Sequence, residues 1–329
     1  MPVDLHLRFN NLHIQLSSTE AAVQAQWARL FAGWPTADSQ PPDIILRLEL
    51  RDKLPDLPVS PPFFSDSQHY PGADGILDVY QGAEEHVLLH FIGGALIDVP
   101  LRQPTAAPLT AAGIITPDVV HNGRFLDVTY TSLAPLFRRH GYFMVHAFAA
   151  AQNGRGVLIV GASGSGKTTT GLALVLAGWQ LLSNDVLLIQ NCPDGVIAQP
   201  TPDDITIRPQ TFVLLPSLAQ LAPDGTPLKQ GVTLTGNDLT NGRWADPTPI
   251  QAIYIPKIEA REKSEKRPLS RAVCLAQLME QSIDKWDSQT LPAHINALQT
   301  LCHQAHSYTL HLGPDVANLP DLLAELGEA

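Results

Sequence analysis

Eight consecutive residues hold the strongest chemical signal in this chain. Gly161-Ala162-Ser163-Gly164-Ser165-Gly166-Lys167-Thr168 fits the pattern G-x-x-x-x-G-K-[ST] at each fixed position. Glycines let the main chain turn so that successive N–H groups point inward at phosphate oxygens. The positive end of a following helix adds to that field. Lys167 is placed to reach β- and γ-phosphates, and the Thr168 hydroxyl to ligate Mg2+. Glycine averages about 7% of residues, so a chance match in a chain this long is on the order of one per cent. The expected nucleotide-binding set is therefore Gly161 to Thr168 together with Thr169, with ATP and Mg2+ as ligands.

Two more residues fit phosphoryl chemistry. Leu181-Leu182-Ser183-Asn184-Asp185 is an apolar run ending in a carboxylate, 18 residues after Lys167. Such an acid can hold Mg2+ or accept the proton of an attacking hydroxyl, and spacing alone does not separate the two roles. A plain turn after a strand is the bland alternative. His146, in Met144-Val145-His146-Ala147-Phe148, lies on the run that precedes the Asn153-Gly154 hairpin signal. An imidazole there can orient a carboxylate or stabilise charge, although a lone histidine on an apolar strand is more often a core residue. Arg208 and Arg243 are weaker phosphate candidates that read first as surface residues. Asp203-Asp204 reads as a turn, and the spacing of Cys302, His303, His306 and His311 lacks a matching second pair for zinc.

The elements that must position these groups follow from periodicity. Tyr142–Ala151 and Val157–Val160 read as strands joined by a hairpin, and Lys167–Ala177 as a helix. Strands follow at Trp179–Leu182 and Val186–Gln190, with another after the Pro193-Asp194-Gly195 turn. Ala252–Ile255 and Tyr308–Leu312 read as strands, Leu269–Trp286 and Leu291–Gln304 as amphipathic helices, with a short helix from Leu319. Glu259–Arg267 reads as a solvated charged loop. Residues 1–130 read as a β-rich unit. Val3–Leu16 and Asp43–Leu50 alternate as strands, Ser18–Phe31 contains a helix, and Ile76–Tyr80 with Val87–Val99 form a meander. Leu54–Gly72 is a proline-bearing loop, Pro100–Pro117 a second proline-bearing stretch, and Ser132–His140 a short helix. The expected organisation is a β-rich (α+β) unit over 1–130, the expected seat of acceptor choice, and a P-loop core over 131–329.

Composition narrows the classes. The chain has 329 residues, 44% hydrophobic and 16% charged, which is globular and not disordered. A net charge of −11 without like-charge blocks argues against nucleic acid and anionic membrane surfaces as partners. The alternating N-terminus lacks signal-peptide character, and Val87–Leu101 is too short to span a bilayer. Three cysteines without CxxC spacing fit a reducing compartment, so the expected location is the cytoplasm.

Gly156 through Thr168, followed by Ala177-Gly178-Trp179-Gln180-Leu181-Leu182-Ser183-Asn184-Asp185, resembles the core of the HPr kinase/phosphorylase family. In that family a histidine stands at the place of His146 and two acids at the places of Asn184 and Asp185. The resemblance runs without gaps from His146 to Asp185, fades over 195–326 and is absent over 1–130. It implies an α/β P-loop core shared with phosphoenolpyruvate carboxykinases, homo-oligomers, and phosphorylation of a protein serine. His146, Lys167 and Asp185 would be the catalytic residues, with Thr168 and Asp185 at the metal. Asn184 replaces the first acid, and the glycine- and arginine-rich loop of the bifunctional enzymes has no clear counterpart after Ile250. The expected acceptor is therefore a serine hydroxyl of a protein or peptide other than HPr. The alternative is an ATP-binding regulatory protein of the same fold, with Asn184 as the lesion that ended transfer.

Overall fold

Pairing begins with a hairpin where the alternation of Val3–Leu16 suggests one strand. The chain folds back at Asn10-Asn11 into β1 (Leu5–Phe9) and β2 (Leu12–Ser17). Asn10 adopts the left-handed region (φ 53°), which asparagine tolerates, so no glycine or proline marks the turn. The computed structural model describes residues 4–37, 40–66, 77–222, 228 and 231–324; Val3, Ile76 and residues 67–72 of the expected proline loop lie outside them.

Two compact units result, Met1–Gly141 with Asp284–Thr290, and Tyr142–Ile283 with Leu291–Ala329. The first continues with α1 (Ala21–Leu30), β3 (Ile44–Leu50), β4 (Phe64–Asp66), β5 (Leu77–Gln81), β6 (His86–Phe91), β7 (Ala95–Pro100), β8 (Leu109–Ile115), α2 (Pro117–His121) and α3 (Phe125–Arg139). Its strands form one mixed sheet in the order β1-β2-β3-β8-β7-β6-β5-β4, with β2–β3 and β3–β8 parallel. Trp27 of α1 is fully buried, its ring 6.0 Å from that of Phe125. Strand β8 lies inside the second proline-bearing stretch, where Thr110-Ala111-Ala112-Gly113 has little strand propensity. Pairing between β3 and β7 makes it a strand. The expected boundary at 130/131 falls inside α3, which starts seven residues before the expected Ser132 and carries Pro135 in its interior.

The end of α3 is held by charge. Arg139 donates from Nη1 and Nη2 to Asp287 at 2.8 and 3.0 Å, and Arg138 donates from Nε to the same carboxylate at 2.9 Å. Arg138 also reaches Asp284 and lies over the Trp286 ring, 5.5 Å from its centroid. Asp287 is 1% exposed. Burial alone would raise its pKa, but hydrogen bonds and charge from Arg139 and Arg138 outweigh that and hold the carboxyl below its ordinary value.

The second unit comprises β9 (Tyr142–Gln152), β10 (Arg155–Val160), α4 (Lys167–Leu176), β11 (Gln180–Ser183), β12 (Val186–Cys192), β13 (Gly195–Gln199), β14 (Asp204–Ile207) and α5 (Pro209–Leu214). Then come β15 (Val232–Thr235), α6 (Gly236–Thr240), β16 (Thr248–Ile258), β17 (Glu265–Pro268), α7 (Arg271–Glu280), α8 (Leu291–Gln304), β18 (His306–Leu312) and α9 (Leu319–Ala324). The main sheet runs β10-β9-β12-β13-β16-β18-β17, and β10 also pairs in parallel with β16. The Val157–Val160 run is continuous because both its faces are buried. Val157 and Ile159 join Leu172 and Leu174 of α4 in one core, while Leu158 and Val160 join Cys274 of α7 and Leu298 and Leu301 of α8 in the other. Strand β17 occupies part of the expected charged loop; its pairing with β18 overrides the local charge. The whole is a mixed α/β protein. Among the described residues no helix is long and apolar enough to cross a membrane.

Candidate functional site

Strand β9 brings the sequence candidates together. Its later half pairs with β10 up to Ala147↔Val160, and its earlier half pairs with β12 up to His146↔Val186. The end of β10, which opens into Gly161–Thr168, and the 184–185 turn therefore both reach β9 at residues 146–147. Asn153 and Gly154 take positive φ (52° and 72°), the two-residue turn geometry that fixes this register. The Ala147 N–H donates to the Asp185 carbonyl at 3.1 Å, and the His146 N–H to the Gln281 carbonyl at 3.1 Å.

On that backbone, His146 Nε2–H donates to Asp185 Oδ1 at 3.0 Å. The carboxylate fixes the tautomer, because an acceptor-only partner requires the proton on Nε2. The Asp185 side chain is 48% exposed, so the pair opens to solvent.

Gly161–Thr168 turns from β10 into α4 with Gly164 and Gly166 in the left-handed region (φ 82° and 104°). At Gly166 the positive φ is what calls for glycine, and a Cβ there would also press on the Leu312 Cδ1 methyl, 2.6 Å away. Lys167 folds back into the loop and donates from Nζ to the Gly161 carbonyl at 2.6 Å and the Ala162 carbonyl at 3.3 Å. Burial lowers the pKa of this ammonium, the Asp185 carboxylate opposes that, and the Arg208 cation adds to it. Lys167, Asp185 and Arg208 thus share one electrostatic environment.

Arg208 follows β14 and caps α5, and its Nη2 donates to Ser163 Oγ at 3.2 Å. The Thr169 and Thr211 hydroxyls lie 2.9 Å apart and tie the first turn of α4 to α5. Arg208 is thereby brought to the glycine loop, whereas Arg243 is exposed in the turn after α6. His311 donates from Nδ1 to Glu259 at 2.8 Å, and Cys302 is buried against α7. Among the described residues no group of three or more His, Cys, Asp or Glu side chains is arranged to hold a metal ion.

Asp203 is not in the expected turn: it precedes β14, which starts at Asp204. It is 4% exposed, and its carboxylate accepts the N–H groups of Asn184 (3.4 Å) and Asp185 (3.3 Å). Burial pushes its pKa well above the ordinary value, the neighbouring charge of Asp185 adds to this, and the two N–H groups oppose it. Local sequence held no signal of this, since Pro202-Asp203-Asp204 has the composition of an exposed turn. Asn184 is 5% exposed and donates from Nδ2 to the Asp204 carbonyl at 3.3 Å.

Chemically, the loop presents main-chain N–H groups, an ammonium and a guanidinium suited to anionic oxygens. The Thr168 hydroxyl and Asp185 carboxylate are hard oxygen donors of the kind Mg2+ takes.

No family model matches the chain, and no curated protein matches it either. Among solved structures, the chain is similar to the HPr(Ser) kinase/phosphatase from Coxiella burnetii, at 13% identity and a TM-score of 0.28. That similarity covers 56% of this chain and 92% of the other.

Proposed function

We propose that the protein is an ATP-dependent kinase that moves the γ-phosphoryl group to a hydroxyl, a serine of a protein or peptide. The observation that carries this reading is the His146–Asp185 pair at 3.0 Å, with Asp185 acting electrostatically on Lys167 of the glycine loop. The triphosphate would lie on the N–H groups of Gly161–Thr169, with Lys167 and Arg208 at its anionic oxygens. Binding there requires the Lys167 ammonium to leave the two carbonyls it now occupies. Thr168 and Asp185 would hold a divalent cation, which when bound neutralises phosphate charge. The acceptor oxygen forms a bond to the γ-phosphorus as the bond to the β,γ-bridging oxygen breaks. The hydroxyl proton passes to Asp185, and ADP leaves with the bridging oxygen. His146 holds the carboxylate through Oδ1, leaving Oδ2 for the proton or the cation. The unit before residue 142 is proposed to choose the acceptor, since the glycine-loop core reads only the nucleotide.

Two variants test this. Lys167→Ala should abolish nucleotide binding measured by calorimetry. Asp185→Asn should bind ATP normally and lose transfer by about 10²–10⁴-fold, measured as labelled γ-phosphate moved to acceptors in a lysate. Transfer at the wild-type rate by Asp185→Asn would sink the assignment. ATP affinity with no turnover by the wild-type protein against any hydroxyl acceptor would favour the regulatory reading instead.

A further inference from the structure

We infer that Asp203 is a positioning residue that sets the orientation of Asp185, an inference that rests on the kinase reading above. The segments 182–185 and 201–204 run side by side. The Thr201 N–H donates to the Leu182 carbonyl at 2.9 Å, and the Asn184 side chain donates to the Asp204 carbonyl at 3.3 Å. The second segment is itself anchored, because the Gly236 N–H donates to the Asp203 carbonyl at 3.0 Å. Within this frame the two oxygens of Asp203 are divided between two successive N–H groups, Oδ1 taking that of Asn184 and Oδ2 that of Asp185.

Holding both N–H groups orients the two successive peptide planes that lead into Asp185, and so restricts the direction of its Cα–Cβ bond. From the other side, the Asp185 carbonyl accepts the Ala147 N–H at 3.1 Å, next in sequence to His146. Asp185 is thus clamped through its N–H by Asp203 and through its carbonyl by β9. The 3.0 Å contact of its Oδ1 with His146 follows from both clamps together. Burying a carboxyl is costly, and an apolar side chain would avoid that cost only by leaving both N–H groups without this acceptor. A carboxyl sets two oxygens side by side, one for each N–H.

Asp203→Asn keeps the size and puts an NH2 where one N–H needs an acceptor. The expected result is ATP affinity and KM for ATP within about twofold of wild type, with kcat lower by about tenfold to a hundredfold. A second readout is independent of transfer: the imidazole ¹⁵N resonances of His146 should move in the same direction as in Asp185→Asn. Asp203→Ala, which removes both acceptors without adding bulk, should behave likewise. Wild-type kcat with unmoved His146 resonances in both variants would overturn the inference. So would parallel loss of ATP binding, or loss of the fold in both, since Asp203 would then be purely structural. If the wild-type protein phosphorylates nothing while the His146 resonances still respond to Asp203→Asn, the kinase reading fails and the positioning role stands.

Discussion

At the end of β11 the Asn184 amide meets the Asp204 carbonyl, and the neighbouring Asp203 carboxyl is already buried. An aspartate at 184 could not donate to that carbonyl and would add a second carboxylate beside Asp203. Asn184→Asp is therefore expected to lower stability by about 1–3 kcal/mol in urea unfolding, and to lower transfer as well. A gain of transfer would instead mark Asn184 as a lesion. From sequence, Asn184 shows only as a missing acid, because its partners lie about twenty positions further along the chain. The glycine loop is legible for the opposite reason. Its residues are contiguous, and the left-handed turns at Gly164 and Gly166 are local demands of the backbone.

Among the elements, α4 shows how a helix is bound to the strand it crosses. Gly171 lies against β9, where an added Cβ would come within 2.3 Å of the Phe148 ring. Alanine would gain about 1 kcal/mol of helix propensity. Overpacking of a buried ring costs about 1–3 kcal/mol, so Gly171→Ala should be destabilising overall, read as a lower urea midpoint. β9, β10, α4, β12 and α8 are all apparent in sequence, because their apolar periods match the surfaces they bury. The hairpin at Asn10-Asn11 and the strands β4, β8 and β17 are not. The Asn10-Asn11 turn carries neither glycine nor proline, and β4, β8 and β17 lie in stretches read as loops, where pairing with β5, with β3 and β7, and with β18 makes them strands.

In the molecule as a whole, Asp284–Thr290 leaves the second half of the sequence to complete the first unit. Arg138 and Arg139 are buried there on Asp287, so Asp287→Asn leaves guanidinium charge uncompensated. A loss of about 3–5 kcal/mol is expected in denaturant unfolding. The folded pKa of Asp287 is lowered, so its contribution is full above the ordinary carboxylate range and fades as pH falls through the folded value. The gap between wild type and Asp287→Asn should therefore close below about pH 4. A fragment of residues 1–141 lacks Asp284 and Asp287, and should melt at a lower temperature than the same fragment supplied with the 284–290 peptide.

Reading residues in order was enough to find the glycine loop, its flanking strand and helix, and the candidates His146 and Asp185, because short-range backbone demands leave short-range patterns. Folding alone placed Asp203 beneath Asp185, brought Arg208 to Ser163 and matched Asp287 with two arginines almost 150 residues earlier. Charge and hydrogen-bond partners are chosen by distance in space, and distance along the chain holds no record of them.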